Sequence, residues 1–210
     1  MNIDFIILAA GKGTRMGGDT PKVLASLAGK PMIQHLIDTV DSFPSSKTSI
    51  VVGYKSNEVE RDLVSQKKLR FVKQKNQLGT AHAVKQALPN IRKNSVAVIL
   101  YGDVPLVGKH TLNRLIKSAS KGKLSLLTFI KDDPTGYGRI IRGSRKNVKK
   151  IKEHKDASSV EKEIREVNSG ILAIKASLLR QLISKIKNNN AAKEYYLTDL
   201  VEIANNHSVD

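Results

Sequence analysis

Short apolar runs rich in β-branched residues alternate with helix-period patterns from the first residues onward, and that alternation leaves the chain few architectures. Phe5-Ile6-Ile7-Leu8-Ala9 predicts a buried strand, and 11–18 a glycine-rich loop. Met32, Ile33, Leu36, Ile37 and Val40 fall on one helical face, with Pro31 at the first helical position. The pattern continues with a strand over 50–52, a helix over 57–66, a strand over 69–72, and a helix over 80–88 that Pro89 terminates. A strand over 96–100, a helix over 109–118 and a strand over 124–130 follow. Strands separated by such helices need right-handed crossovers. The expected fold class is therefore α/β and Rossmann-like, a mostly parallel sheet with helices on both faces. Ligands of such sheets bind beyond the carboxyl ends of the strands.

After Ile130 the alternation breaks. Gly136, Gly138 and Gly143, with the basic run to Lys155, predict a small β insertion over 136–155 on the substrate side. A helix over 157–165, a strand over 166–174 and helices over 178–186 and 195–204 complete the chain. No linker or internal repeat divides it, so 1–210 reads as a single domain containing the insertion.

Composition removes several function classes. The chain has no Cys, which excludes a disulfide scaffold, Cys-ligated metal sites and thiol nucleophiles. His35, His82, His110, His154 and His207 share no ligand spacing and no Ser sits in a G-x-S-x-G elbow, so zinc and serine hydrolysis drop out. His82 and His154 read as structural. The apolar runs are far shorter than the ~20 residues of a membrane span, and Asp4 stands where a secretory leader would carry a cation. No membrane association and a cytoplasmic location are expected. With 36 Lys+Arg against 19 Asp+Glu, the net charge is +17. Only 4% of residues are aromatic and the densest basic stretch, 139–155, has no stacking side chain, so no nucleic-acid partner is expected.

Gly11-Lys12-Gly13-Thr14-Arg15-Met16-Gly17-Gly18 follows the first strand, where backbone N–H groups can cradle phosphate. The dinucleotide fingerprint fails because position 16 is Met, and the P-loop fails because Asp19-Thr20 stands where Lys-Ser or Lys-Thr is required. Lys12, Arg15 and Lys22 still place three cations around one loop, a concentration suited to a triphosphate.

The run 8–16, Pro21-Lys22-Val23-Leu24 and Leu27-Ala28-Gly29-Lys30-Pro31-Met32 resemble the signature of sugar-phosphate nucleotidyltransferases. Gln77-Leu78-Gly79-Thr80-Ala81-His82-Ala83, Tyr101-Gly102-Asp103-Val104-Pro105-Leu106, Asp132-Asp133-Pro134-Thr135-Gly136-Tyr137-Gly138-Arg139-Ile140, Glu153-His154-Lys155-Asp156-Ala157, Asn168-Ser169-Gly170-Ile171 and Glu194-Tyr195-Tyr196-Leu197-Thr198-Asp199 narrow it. In this order they resemble the N-acetylglucosamine-1-phosphate uridyltransferases. The resemblance implies a nucleotide-diphospho-sugar transferase fold. It also implies attack of the sugar phosphate on the α-phosphorus of UTP, giving UDP-N-acetylglucosamine and pyrophosphate.

The attacking phosphate is already an anion, so the chemical problem is repulsion between anions rather than lack of a base. The resemblance implies Arg15, Lys22 and Asp103 as the catalytic set, with Asp103 holding Mg²⁺ at a strand's carboxyl end. It implies Leu8, Ala9, Ala10, Gly11, Lys22, Gln74, Gly79 and Thr80 for the nucleotide. Gln offers amide donor and carbonyl acceptor to a uracil edge, and Gly79 admits the ring to the backbone. Tyr101, Gly102, Asp103, Gly138, Glu153 and Asn168 are implied for the sugar phosphate. The expected partners are small molecules, UTP and N-acetylglucosamine 1-phosphate, and the resemblance is compatible with a homo-oligomer. No hexapeptide repeat of the family's β-helix is present, so that acetyltransferase domain is absent and acetyl transfer is not expected from this chain. The resemblance also implies a second metal ligand, an Asn that in the family's pattern comes slightly after the position matching residue 210. Three rivals stay open: a nucleotidyltransferase for another sugar 1-phosphate or base, a weakly catalytic nucleotide-sugar-binding regulator, and a nucleic-acid-binding module favoured only by charge.

Overall fold

Strand β1 (Asn2–Ala9) is buried everywhere after Asn2, as a near-continuous apolar run requires when helices cover both faces of a central strand. The computed structural model describes residues 1–11, 20–63, 69–144 and 146–209. After β1 come a short 3₁₀ turn (Lys22–Leu24), β2 (Ser26–Leu27), β3 (Lys30–Pro31), α1 (Met32–Asp41), β4 (Ser46–Val52), α2 (Ser56–Leu63) and β5 (Leu69–Lys73). Then follow α3 (Thr80–Ala87), a 3₁₀ turn (Leu88–Asn90), β6 (Ser95–Tyr101), α4 (Lys109–Ser120) and β7 (Ser125–Ile130). The chain closes with β8 (Arg139–Arg142), β9 (Val148–Lys152), α5 (Ser159–Lys162), β10 (Glu166–Lys175), α6 (Ala176–Ile183) and α7 (Asp199–Asn206).

The main sheet runs β5-β4-β1-β6-β10-β8-β9, with β7 also on β10. β5, β4, β1 and β6 pair in parallel, whereas β10 enters antiparallel to β6 and pairs antiparallel with β7 and β8. Alternate residues of the strands face two cores. On one side Phe5, Ile7, Val98 and Leu100 meet Leu36 and Ile37 of α1 and Leu112 and Ile116 of α4. On the other, Ile6, Leu8 and Ile99 meet Val84 of α3, Leu179 of α6 and Leu200 of α7. Helices thus cover both faces, as the alternation predicts. Within 136–155 lies a β8–β9 hairpin whose Ile140 and Ile151 pack on Val201 of α7.

Several element bounds depart from expectation. The helix expected over 157–165 is only Ser159–Lys162, started by a capping box between Ser158 and Glu161. It stops because the Arg165 carbonyl accepts from the Lys131 N–H, drawing the chain into the sheet. The helix expected over 195–204 begins at Asp199. Tyr195 spends its N–H on the Leu78 carbonyl and its carbonyl on the Ala81 N–H, so 195–198 cannot coil. The helix expected over 178–186 is Ala176–Ile183, its end tightened by a Lys185 N–H to Leu182 bond. Pro31 precedes the first helical residue at the N-cap, and Pro89 lies in a 3₁₀ turn. The helix expected over 57–66 runs from Ser56 to Leu63, and 64–68 lie outside the described residues. No helix among the described residues is long and apolar enough to cross a membrane.

One buried charge ties the amino end of β1 to the loop before β6. Asp4 is fully buried and accepts from the Arg92 backbone N–H at 2.8 Å and from Nε at 2.9 Å. The same guanidinium donates to the carbonyls of Ile3 and Ser45. Asp4→Ala removes one partner of a largely buried pair, and a loss of about 3 kcal/mol of stability is expected in urea unfolding. An unchanged midpoint would contradict this role.

Candidate active site

A cavity of about 300 Å³ opens at the carboxyl ends of β1 and β6, which pair through Leu8 and Tyr101. The chain first winds from β1 outward to β4 and β5, then returns to the other side of β1 at β6, so this is a topological switch point. Leu8, Ala9, Ala10 and Gly11 supply one wall. Gln74, Gly79 and Thr80 supply a second, and Lys22, Tyr101 and Asp103 a third. Arg15 and Lys12 lie outside the described residues.

The second wall is rigid for local reasons. Gln74 follows β5 and is held by its N–H to the Val52 carbonyl at 2.8 Å. Its buried side-chain amide donates to the Gly79 carbonyl at 3.1 Å and lies 2.9 Å from His82 Nδ1. Gly79 caps α3 at φ +109°, and a Cβ there would stand 2.6 Å from the Tyr195 carbonyl oxygen and 2.7 Å from its nitrogen. Its lack of a side chain therefore first serves to seat the 194–198 segment. Thr80 Oγ1 accepts from the Leu197 N–H at 2.9 Å, locking the same segment.

Lys22 Nζ donates to Asp103 Oδ2 at 2.7 Å, with both side chains about one-third exposed at 36% and 31%. Lys22 starts the 3₁₀ turn after Pro21, and burial of Val23 anchors that turn. Asp103 follows β6 in a turn closed by the Val104 N–H on the Tyr101 carbonyl. Of the implied sugar-side residues, Tyr101 and Asp103 line the cavity, whereas Gly102, Gly138, Glu153 and Asn168 do not. A Cβ on Gly102 would reach Val23 Cγ1 at 2.9 Å, so its lack of a side chain makes room for that packing.

Gly138, Glu153 and Asn168 form a neighbouring group. A Cβ on Gly138 would lie 3.4 Å from the Glu153 carboxylate, and the Asn168 N–H donates to the Gly138 carbonyl at 2.9 Å. Asn168 Oδ1 accepts from the Gly170 N–H at 3.0 Å, at a register shift of β10, so the side-chain oxygen is committed to the backbone. Gly170, at φ +86°, leaves space for the Tyr101 ring, to which a Cβ would come within 2.7 Å. Tyr101 thus joins this group to the cavity.

The joined end is acidic. Burial, with Asp156 and Glu194 nearby, raises the Glu153 pKa despite a 2.9 Å bond from Thr198 Oγ1. Burial, followed by Glu153 and Asp103, pushes the Tyr101 phenol up, against the hydrogen bond with Thr80. Burial, with Glu202 and Glu153, raises Asp199 from 3.8 to about 6. An aspartate with a raised folded pKa contributes stability that is full below about pH 4 and lost as pH rises through about 6. Asp199→Asn is accordingly expected to raise the melting temperature at neutral pH, by the equivalent of about 1 kcal/mol after solvent screening, and to leave it unchanged at about pH 4. Melting curves across that range check it, and an identical pH profile would count against this electrostatic account.

The family profile for the MobA-like NTP transferase domain matches residues 5–167. The chain belongs to that family. This NTP transferase is 46% identical over 202 residues to the Bifunctional protein GlmU of Cellvibrio japonicus, covering 96% of this chain and 44% of the relative. It is 48% identical over 206 residues to the Bifunctional protein GlmU of Pseudomonas syringae pv. syringae, covering 98% and 45%. The chain thus spans less than half the length of these curated relatives. In fold it is similar to a UDP-glucose pyrophosphorylase complexed with UDP-glucose, at TM-score 0.78 and 17% identity, covering 99% of this chain and 88% of that one.

Sequence reasoning gave no role to Gln77 and Glu194, which also line the cavity of this NTP transferase. Both sit inside motifs already singled out, so motif membership was the available signal. Among the described residues no group of three or more His, Asp or Glu side chains could hold a metal alone. Asp103 at the cavity wall fits the commoner arrangement for magnesium, one hard carboxylate completed by phosphate oxygens and water.

Proposed function

We propose that this NTP transferase moves a uridylyl group from UTP to N-acetylglucosamine 1-phosphate, giving UDP-N-acetylglucosamine and pyrophosphate. The observation that carries the reading is one cavity in which the Gln74–Gly79–Thr80 wall meets the Lys22–Asp103 pair, with Tyr101 leading on to Glu153 and Asn168. The wall suits a nucleobase edge, the ion pair suits phosphates, and the acidic end suits hydroxyl and acetamide groups. This polarity orients both substrates, because the carboxylates around Glu153 repel phosphate and Lys22 attracts it.

The attacking phosphate oxygen needs no base, so the side chains act by placement and by charge. Lys22 can share its ammonium between Asp103 and an incoming phosphate, neutralising the repulsion between the two reacting anions. Arg15 would add a second cation from the glycine-rich loop. Mg²⁺, held by Asp103, would supply further positive charge where the phosphates meet. The reading carries a cytoplasmic location, where UTP is available. Calorimetry with UDP-N-acetylglucosamine tests it: saturable binding is expected, stronger than for UDP-glucose, whose sugar lacks the acetamide. A folded chain that binds neither would contradict the proposal.

A further inference from the structure

We infer that His82 is a positioning residue that sets which atom of Gln74 faces the nucleobase, and thereby makes the site prefer a ring N–H over a ring nitrogen lone pair. The inference rests on the uridylyl reading above.

It starts from hydrogen-bond accounting at a buried amide. The Gly79 carbonyl can only accept, so the Gln74 atom 3.1 Å from it must be the amide nitrogen. That nitrogen has two hydrogens, and the second meets His82 Nδ1 at 2.9 Å. Nδ1 must then offer a lone pair, and the ring proton belongs on Nε2. Gln86, one helical turn further along α3, has its side-chain amide 3.2 Å from Nε2 and 3.4 Å from the His82 carbonyl; turned over, the amide accepts from Nε2–H with its oxygen and gives up the longer bond to the carbonyl. With both amide hydrogens spent, Gln74 presents only its carbonyl oxygen to the cavity it lines. A carbonyl acceptor matches N3–H of uracil and opposes the N3 lone pair of cytosine. Without the acceptor at His82, only the Gly79 carbonyl would hold the amide, and one hydrogen would be released toward a ligand.

Sequence alone reads His82 as structural, since it has no ligand spacing. Geometry gives it a consequence: the imidazole need not touch the ligand to choose it.

The test is calorimetric binding of UTP and CTP to wild type, His82→Leu and His82→Asn. Leu keeps bulk without an acceptor, whereas Asn can place an amide oxygen near the position of Nδ1. His82→Leu is expected to cut the UTP-over-CTP preference at least about tenfold, as one misdirected hydrogen bond can. His82→Asn is expected to restore it to within about threefold. A folded His82→Leu chain with wild-type preference would overturn the inference. Long-range ¹⁵N correlation of the wild-type imidazoles at about pH 8 gives a reading independent of variant folding: the Nε2–H tautomer is expected for His82, and the Nδ1–H tautomer would overturn the inference. A wild-type chain without preference for UTP would instead overturn the uridylyl reading, while the tautomer still judges the Gln74 clamp.

Discussion

Asp103→Asn is expected to lower turnover by about 10³-fold or more and to remove activation by magnesium, because an amide lacks the charge that would hold a hard cation, a contribution of several kcal/mol. The fold survives, since Asp103 is about one-third exposed at 31% and its ion pair with Lys22 adds little to stability. The same change loosens the Lys22 ammonium, whose 2.7 Å carboxylate partner is replaced by at most a neutral amide oxygen. Metal-free affinity for UTP should therefore hold or rise while catalysis collapses. A magnesium titration with wild-type midpoint and maximum would place the cation elsewhere.

Lys22→Ala has the opposite binding signature. Turnover is expected to fall by about 10²-fold or more, the usual consequence of removing one electrostatic contact to a reacting group. Metal-free UTP affinity falls as well, because the cation is lost and the Asp103 carboxylate is left to repel the triphosphate. The two losses are not additive, since the residues form one pair. Steady-state kinetics and calorimetry on both variants and the double variant check this. Near wild-type turnover in Lys22→Ala would remove the ion pair from the account.

The central strands were legible because burial on both faces writes itself as an apolar run: β1 and β6 lie where 5–9 and 96–100 suggest, and extend a few residues beyond. Strand order was not legible. Nothing in the Glu166–Lys175 pattern says that this strand inserts between β6 and β7, because that choice is made by pairing across the chain. Helix α7 starts late for the same kind of reason, since Tyr195 is claimed by Leu78 and Ala81 more than a hundred positions earlier.

At the site, the resemblance selected residues that the fold gathers, including Lys22, Gln74, Gly79, Thr80, Tyr101 and Asp103. What it could not convey is the job each does locally. Gly79 makes room for Tyr195, Gly102 makes room for Val23, and Asn168 spends its oxygen on Gly170. These are contacts between segments remote in sequence or fixed by backbone conformation, and residue type alone does not disclose them.

Uridylyl transfer to an N-acetylated sugar phosphate is the activity proposed for this chain. Its most direct test is pyrophosphate release measured for the four ribonucleoside triphosphates crossed with N-acetylglucosamine 1-phosphate, glucose 1-phosphate and glucosamine 1-phosphate, with and without magnesium. The expected result is magnesium-dependent release with UTP and N-acetylglucosamine 1-phosphate well above every other pair. Preference for another base or another sugar, or no release by a folded chain that binds UTP, would contradict it.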